Sequence, residues 1–518
     1  MQAFGPFTFA LAAAIAPAAA AGGGVPPTTT VITHGFSADG KGVWVQSMAA
    51  AVLARAAGDG AVYRYADDSG GLVRIPEAGG NGSARNVVVV FNWVADSASV
   101  DEGPNWRYAQ GAADAMHAML RDPWYPTGSP GPADLVGGRR VHLLGHSRGA
   151  CVVSEAARRL AVAGIPVDQM TTFDPHPVNG TLDARYDLDW GDPVPERWSN
   201  VAWADNYWRA DGGGLVNGLD FDGIPLANVL NLQLSESTLN CCAYSLSHLD
   251  VHLWYHGTID LSAGASNGEQ QITPQMRSAW WPQGASQSGF ARSAIAGGAR
   301  PAIPPGINPP AGTAPLLWNG GFEAGSRSGW AAHGGSGATL ASASGNWFAR
   351  LGATRPRLVH NRAYLPAPAS PFRPLRFLMN VRRSGTGGAD DIVRVELERP
   401  EDAGPVAVPG GAWPVAGLSG AFTRVAVAVP SSFTGRTLLL HVVVDGGPDG
   451  VGSTVELDDL ELAFAPPVGD VTGDGHVDGQ DIAAMLSSWG PCPTCPADLD
   501  ASGQVDGADL VVLLADWG

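Results

Sequence analysis

Basic residues are scarce in this chain. Lys and Arg together number 31 against 49 Asp and Glu, a formal net charge of −18 over 518 residues. A surface of that sign repels phosphate backbones, so nucleic acid is excluded as a partner. The shortage is extreme at the C-terminus, where residues 468–518 hold nine Asp and no Lys or Arg. Such asymmetry marks a separate unit with its own chemistry. Cysteine is scarce too, five residues in all. Cys492 and Cys495 sit in a turn-like Pro-Cys-Pro-Thr-Cys-Pro loop with no second Cys or His pair beside it. A disulfide is expected there rather than a zinc half-site. Cys241 and Cys242 are adjacent, with one of them expected free, and Cys151 reads as a buried helix residue.

Beyond the N-terminus no apolar run reaches transmembrane length. At the N-terminus, Phe7 to Ala21 is an apolar stretch ending in small residues. It resembles a secretory signal over residues 1–21, although no basic residues precede it. The mature protein is expected to be secreted. What is abundant fits a core-forming globular chain: 45% hydrophobic residues and 15% charged. Length alone suggests about three domains.

Residues 28–265 alternate strand-like and helix-like stretches, within a first domain expected over 28–295. Thr30-Val-Ile-Thr, Asn86 to Asn92, Val141-His-Leu-Leu and Met170 to Phe173 read as strands. Val43 to Ala57, Arg107 to Leu120 and Ala150 to Ala163 read as helices. That alternation predicts a mostly parallel sheet with helices on both faces. Residues 296–315, rich in Gly, Pro and Ala, read as an extended linker. From 316 to 465 the period changes to two, as in Ile392 to Glu398 and Arg436 to Val444, which predicts a β-sandwich. Residues 468–518 contain an internal repeat with a 28-residue offset.

One stretch carries chemistry: Val141-His-Leu-Leu-Gly-His-Ser-Arg-Gly-Ala150. A Gly-x-Ser-x-Gly pentad between a strand and a helix is the pattern of a nucleophile elbow, in which Gly145 and Gly149 clear space for a tight turn. With 69 glycines in the chain, the pentad has to be judged by its context. A serine hydroxyl needs a base, an orienting carboxylate and oxyanion donors. Asp174 follows the next strand and is the expected carboxylate; Asp187, Asp189 and Asp205 are weaker alternatives. The base is expected last in the chain. His248, at the start of a helix, is the candidate, with His252 one turn later as the alternative. His142, His176 and His256 read as structural, and His146 as shaping the elbow. Asn206-Tyr207-Trp208 follows a strand-like segment and reads as pocket lining or core.

On these motifs, with Thr30-Val-Ile-Thr-His-Gly-Phe36 and the Phe91-Asn-Trp93 strand end, residues 28–295 resemble the lipase and esterase branch of the α/β-hydrolase superfamily. The resemblance implies the Phe36 and Arg148 N–H groups as oxyanion donors. It implies a Ser147–Asp174–His248 triad that cleaves an ester or lipid through an acyl-enzyme, with no catalytic cofactor.

The tail loops are Asp470-Val-Thr-Gly-Asp-Gly-His-Val-Asp-Gly-Gln-Asp481 and Asp498-Leu-Asp-Ala-Ser-Gly-Gln-Val-Asp-Gly-Ala-Asp509. Oxygen ligands at alternate positions of a glycine-bearing loop suit Ca²⁺. The tail resembles type I dockerin modules, which implies two Ca²⁺ sites and a cohesin-like protein partner. One site would be Asp470, Thr472, Asp474, Asp478 and Asp481 with the His476 carbonyl. The other would be Asp498, Asp500, Ser502, Asp506 and Asp509 with the Gln504 carbonyl. The sandwich, from Leu317-Trp-Asn-Gly-Gly-Phe-Glu323 to Val455 to Leu462, resembles jelly-roll carbohydrate-binding modules. That implies a third, structural Ca²⁺ site at Glu323 and Asp458, and a polysaccharide partner.

The combined expectation is an exported serine hydrolase with accessory modules for surface or polysaccharide attachment. Two other readings stay open. One is a non-catalytic adhesion or scaffold protein that keeps the elbow as a relic. The other is a carbohydrate-active enzyme, against which no paired carboxylates stand out in residues 28–295.

Overall fold

The chain is described by a computed structural model that covers residues 26–517. It leaves out 38–41, 67–70, 99–107, 180–188, 211–221 and further stretches of five residues or fewer. The expected signal segment, Asp187, Cys241, Cys242 and Asp474 lie outside the described residues.

The first part is built on an eight-stranded sheet. Its strands are β1 (Thr28–Thr33), β2 (Gly60–Ala66), β3 (Gly71–Arg74), β4 (Asn86–Phe91), β5 (Arg140–His146), β6 (Val167–Phe173), β7 (Val201–Trp208) and β8 (Leu230–Gln233). Their spatial order is β3-β2-β4-β1-β5-β6-β7-β8. All neighbours pair in parallel except β2 and β3, which are antiparallel. The helices are α1 (Val43–Arg55), α2 (Val94–Ser97), α3 (Tyr108–Arg121), α4 (Gly149–Val162), α5 (Ser247–Ile259) and α6 (Pro274–Trp280).

The continuous apolar runs explain the layering. In β4, Val87 and Val89 face the core beneath α3 and α4, while Val88 and Val90 face the core beneath α1 and α5. Leu143 and Leu144 of β5 divide in the same way. A strand with apolar side chains on both faces is stable only between two helical layers. The chain first builds outward from β1 to β2 and β4, then crosses to the other side of β1 with β5. Ligands of open parallel sheets bind at the carboxyl ends of the strands at such a reversal. Asn206-Tyr207-Trp208 lies inside β7 rather than after it, and Tyr207 is buried against Trp254 and Tyr255.

The Pro- and Gly-rich segment after residue 295 is extended and tied to the sheet domain. Ile307 exchanges backbone hydrogen bonds with Ser199 and Arg197, Trp203 Nε1 donates to Pro301 O, and Arg300 pairs with Asp168. The sandwich follows: β9 (Trp330–His333), β10 (Ala338–Ala343), β11 (Asn346–Leu351), β12 (Arg357–Leu365), β13 (Leu375–Ser384), β14 (Ile392–Glu398), β15 (Val406–Pro414), β16 (Thr423–Ala428), β17 (Arg436–Asp445) and β18 (Thr454–Phe464). Two antiparallel five-stranded sheets, β10-β11-β18-β13-β16 and β15-β14-β17-β12-β9, enclose a core that includes Phe377, Val395, Leu440 and Leu457. The sandwich packs on α3. Thr437 N donates to Asp122 Oδ2 at 2.7 Å, and Thr437 Oγ1 to Ala118 O at 3.0 Å.

The tail has two short helices, α7 (Gly479–Ser487) and α8 (Gly507–Ala515), each after an acidic loop. They share a small core of Val477, Met485, Ala497, Val505 and Leu513. Cys492 and Cys495 form a disulfide, and Cys151 is a buried free thiol in α4. Among the described residues no helix is long and apolar enough to cross a membrane.

Candidate active site

Four adjacent parallel strands end at one place. His34 and Gly35 follow β1, Ser147 follows β5, Asp174 follows β6 and Arg209 follows β7. Ser147 is held at φ +56° between β5 and α4. That conformation strains a residue with a side chain, and it is paid for by the surrounding glycines. A Cβ on Gly145 would stand 2.3 Å from Gly149 O, and one on Gly149 2.5 Å from His34 O. A Cβ on Gly35 would meet Ser147 Cβ at 2.4 Å and Oγ at 2.9 Å. The β1 turn therefore lies directly against the serine side chain, with Phe36 next in the chain and Arg148 at the head of α4.

Asp174 is anchored through its backbone. Its N donates to Tyr207 O at 2.7 Å, while the Phe173 carbonyl takes the Ser147 N–H at 2.9 Å. Asp174 is fully buried and also has positive φ, +44°. Gly223 admits its carboxylate, since a Cβ there would lie 2.1 Å from Oδ1. His248 comes from the first turn of α5, and its Nδ1 is 2.7 Å from Asp174 Oδ2. Burial pushes the Asp174 carboxyl up, and the Arg209 guanidinium and backbone N–H pull it back towards the ionised form. His146 lies beneath His248: its Nε2 is 3.1 Å from the His248 carbonyl, and the two rings are 4.5 Å apart.

The structure thus brings Ser147, Asp174 and His248 to one strand edge, with Phe36 and Arg148 beside them. It does not bring His252 to Asp174. That ring is buried and stacks on Trp44 at 4.1 Å, and neither nitrogen has a hydrogen-bond partner among the described residues. Asp205 is occupied by Thr171 and Tyr207. Asp189 caps its own turn through Gly191 N. His142 and His256 are buried away from this edge, and His176 faces the Asp222 carbonyl.

Sequence reasoning missed the supports. The Arg148 side chain is buried, with Nε 2.5 Å and Nη2 2.8 Å from the two Asp192 oxygens and Nη1 2.6 Å from Ser97 O. It lies over the rings of Trp93 and Trp190, and Trp190 in turn meets Phe36. His34 is fixed between Gly35 O and Asn92 Oδ1. Arg209 was missed as well. Its signal was its position, the first charge beyond a buried strand at the same sheet edge.

In the tail, carboxylate oxygens of Asp498, Asp500 and Asp509 all lie within 4.8 Å of one another. Ser502 N donates to Asp498 and Asp500, Ser502 Oγ lies 3.1 Å from Gln504 O, and Asp506 N donates to Asp509. In the first loop Thr472 contacts both Asp470 and Asp481, and Asp478 caps α7. In the sandwich, Glu323 and Asp458 already accept hydrogen bonds, from Trp347 N and from Asn346 Nδ2 and Asp459 N.

No family model and no curated protein matches this chain. Solved structures similar to it include a carbohydrate-binding module specific for non-crystalline cellulose, 15% identical over 28% of this chain and 93% of that one, TM-score 0.21. Another is the xylan-binding domain of Paenibacillus barcinonensis Xyn10C, 15% identical over 26% of this chain and 86% of that one, TM-score 0.20. A third is the glycoside hydrolase family 43 arabinoxylan arabinofuranohydrolase from Bacillus subtilis, 16% identical over 24% of this chain and 23% of that one, TM-score 0.17. These findings correct the expected kinship. The neighbours named are carbohydrate-binding modules and glycoside hydrolases, with no lipase, esterase or dockerin among them. The assignment as a lipase-like ester hydrolase with a cohesin-binding tail is accordingly withdrawn.

Proposed function

We propose that this protein is a carbohydrate-active enzyme: the sandwich holds a polysaccharide, and the sheet domain acts on it at the strand edge where Ser147, Asp174 and His248 meet. The observation that carries this reading is His248, bonded to Asp174 at 2.7 Å, beside a serine held at φ +56°. At that edge His248 Nε2 is the base that takes the Ser147 proton when Oγ attacks the substrate. Asp174 accepts the Nδ1–H and fixes the tautomer. The N–H groups of Phe36 and Arg148 stand beside Ser147, the latter at the positive end of α4, where developing negative charge is stabilised. The leaving group departs with the proton from His248, and water, activated by the same base, then frees Ser147.

Polysaccharide binding is supported by an open groove of about 710 Å³ in the sandwich, lined by Trp318, Asn319, Glu323, Asn380, Arg424 and Asp459 among others. An indole face with amide, carboxylate and guanidinium groups suits the apolar face and hydroxyls of a sugar ring. Export is part of the reading, supported by the N-terminal apolar segment and the Cys492–Cys495 bridge. The tail fits Ca²⁺: hard oxygen donors converge at Asp498, Asp500 and Asp509, and Asp470, Thr472 and Asp481 meet in the first loop.

The test uses the full chain. A fluorophosphonate probe is expected to label Ser147, and the enzyme to release soluble product from plant cell-wall polysaccharide. Ser147→Ala should lose both. Undiminished release by that variant, or a wild type that takes no label, would reject the reading.

A further inference from the structure

We propose that Arg209 is a positioning residue of the Ser147 site, holding Asp174 in the form that accepts the His248 proton donor; this rests on the reading of Ser147 as nucleophile. Arg209 is the first residue beyond β7, next to the strand that ends in Asp174. It reaches the carboxylate from two sides. Its backbone N donates to Oδ1 at 2.8 Å. Its guanidinium Nε lies 3.3 Å from Oδ2, an ion-pair contact rather than an aligned hydrogen bond. That same Oδ2 faces His248 Nδ1. Arg209 is itself buried, with only 5% of its surface exposed.

The need for a cation follows from the surroundings. Asp174 is fully buried, where an ionised carboxylate is disfavoured. The other groups that face it give mixed help. His176, just beyond β6, acts in favour of the anion, while Asp222 acts against it. Asp222 is also paired to Arg209, Oδ1 to Nη1 at 3.7 Å. Behind His248, the buried His146 and His252 rings are neutral by burial, and Asp250 on α5 also feels Arg209. Arg209 is the guanidinium in direct contact with the carboxylate. Were Asp174 protonated, it would donate to Nδ1 instead of accepting from it. His248 would then carry its hydrogen on Nε2, where the serine proton has to go.

The prediction is a shift of a pH limb, which loss of packing alone would not produce. The readout is the rate of Ser147 labelling by a fluorophosphonate from pH 5 to 10, on folded full-length protein checked by circular dichroism. Arg209→Gln is expected to move the acid limb up by one pH unit or more. Labelling should fall at least tenfold at pH 7 and recover at high pH. Arg209→Lys should return the limb to within half a unit of wild type. Asp222→Asn, a milder change, should move it the opposite way, because it removes the charge that opposes the anion. An Arg209→Gln limb at the wild-type position, however slow the labelling, would overturn the proposal. So would shifts of the same sign in Arg209→Gln and Asp222→Asn. A wild type that takes no label would instead reject the nucleophile itself, and the role of Arg209 with it.

Discussion

At the residue scale, the site shows two ways of making an awkward group tolerable. Ser147 is strained, and three glycines leave room for the strain. His252 is buried with no hydrogen bond among the described residues, and an indole face covers it. The second arrangement has a cost that depends on pH. Burial holds the His252 pKa well below its ordinary 6.5. Below pH 6.5 the unfolded chain therefore binds a proton that the folded chain refuses. The stability tied to this ring is complete above pH 6.5 and is lost as pH falls, by about 1.4 kcal/mol per unit. His252→Phe keeps the stack on Trp44 and cannot titrate. Urea unfolding midpoints of variant and wild type should run at a constant offset from pH 7 to 8. Below 6.5 they should diverge in favour of the variant, increasingly so as the pH falls. Parallel curves down to pH 5 would show that the folded ring takes up the proton as readily as the unfolded one, which would overturn this account.

Elements were legible where one local rule dominates. The Asn86 to Asn92 run can only be a strand covered on both faces, and it is β4. The Gly-x-Ser-x-Gly turn fixed the junction of β5 and α4. Where contacts distant in sequence decide, the reading faltered. Asn206 to Trp208 reads as pocket lining or core beyond a strand-like segment, because polar Asn and Asp interrupt its apolar run, but it is part of β7. Those polar groups are instead satisfied by Thr171, Thr172 and Asn231 of neighbouring strands and loops. Arg148 is singled out in the sequence only for its backbone N–H, and its side chain is buried. Its partner Asp192 lies 44 residues away, and nothing local announces the pair. The tail loops are the opposite case, since the spacing of their acidic residues is local. Asp481 and Asp509 are fully buried at the start of α7 and α8, each holding its loop through backbone N–H groups. Titration of the full chain with Ca²⁺ should show two ions bound, and one in either Asp481→Ala or Asp509→Ala. Heat uptake unchanged in both variants would remove the metal from the account.

At the scale of the whole molecule, the sandwich is a docked part and not a tethered one. Its contacts with α3 span more than three hundred residues of sequence: Thr437 with Ala118 and Asp122, and Arg436 with Asp122. A buried polar seam lies beside them. Asp114 of α3 is paired with Arg159 of α4 at 3.2 Å and stands 3.9 Å from His360 of β12. The Trp318 ring of the sandwich groove lies under Arg159. Helix α4 therefore runs from the candidate nucleophile at its head to the groove near its foot, about 18 Å at 1.5 Å per residue. A rigid seam would fix the distance between a held polysaccharide and Ser147. Gly111 is where that seam can be opened. A Cβ there would stand 2.8 Å from Ser328 Oγ and 2.9 Å from Gly329 N. Gly111→Leu should drive the two parts apart while leaving each core intact. Calorimetry is expected to resolve two unfolding transitions where the wild type shows coupled melting of the two parts, and small-angle scattering a larger radius of gyration. If docking serves the reaction, the variant should keep wild-type fluorophosphonate labelling and lose activity on insoluble polysaccharide. Unchanged scattering and a single coupled transition would show that the seam yields locally and the contact survives.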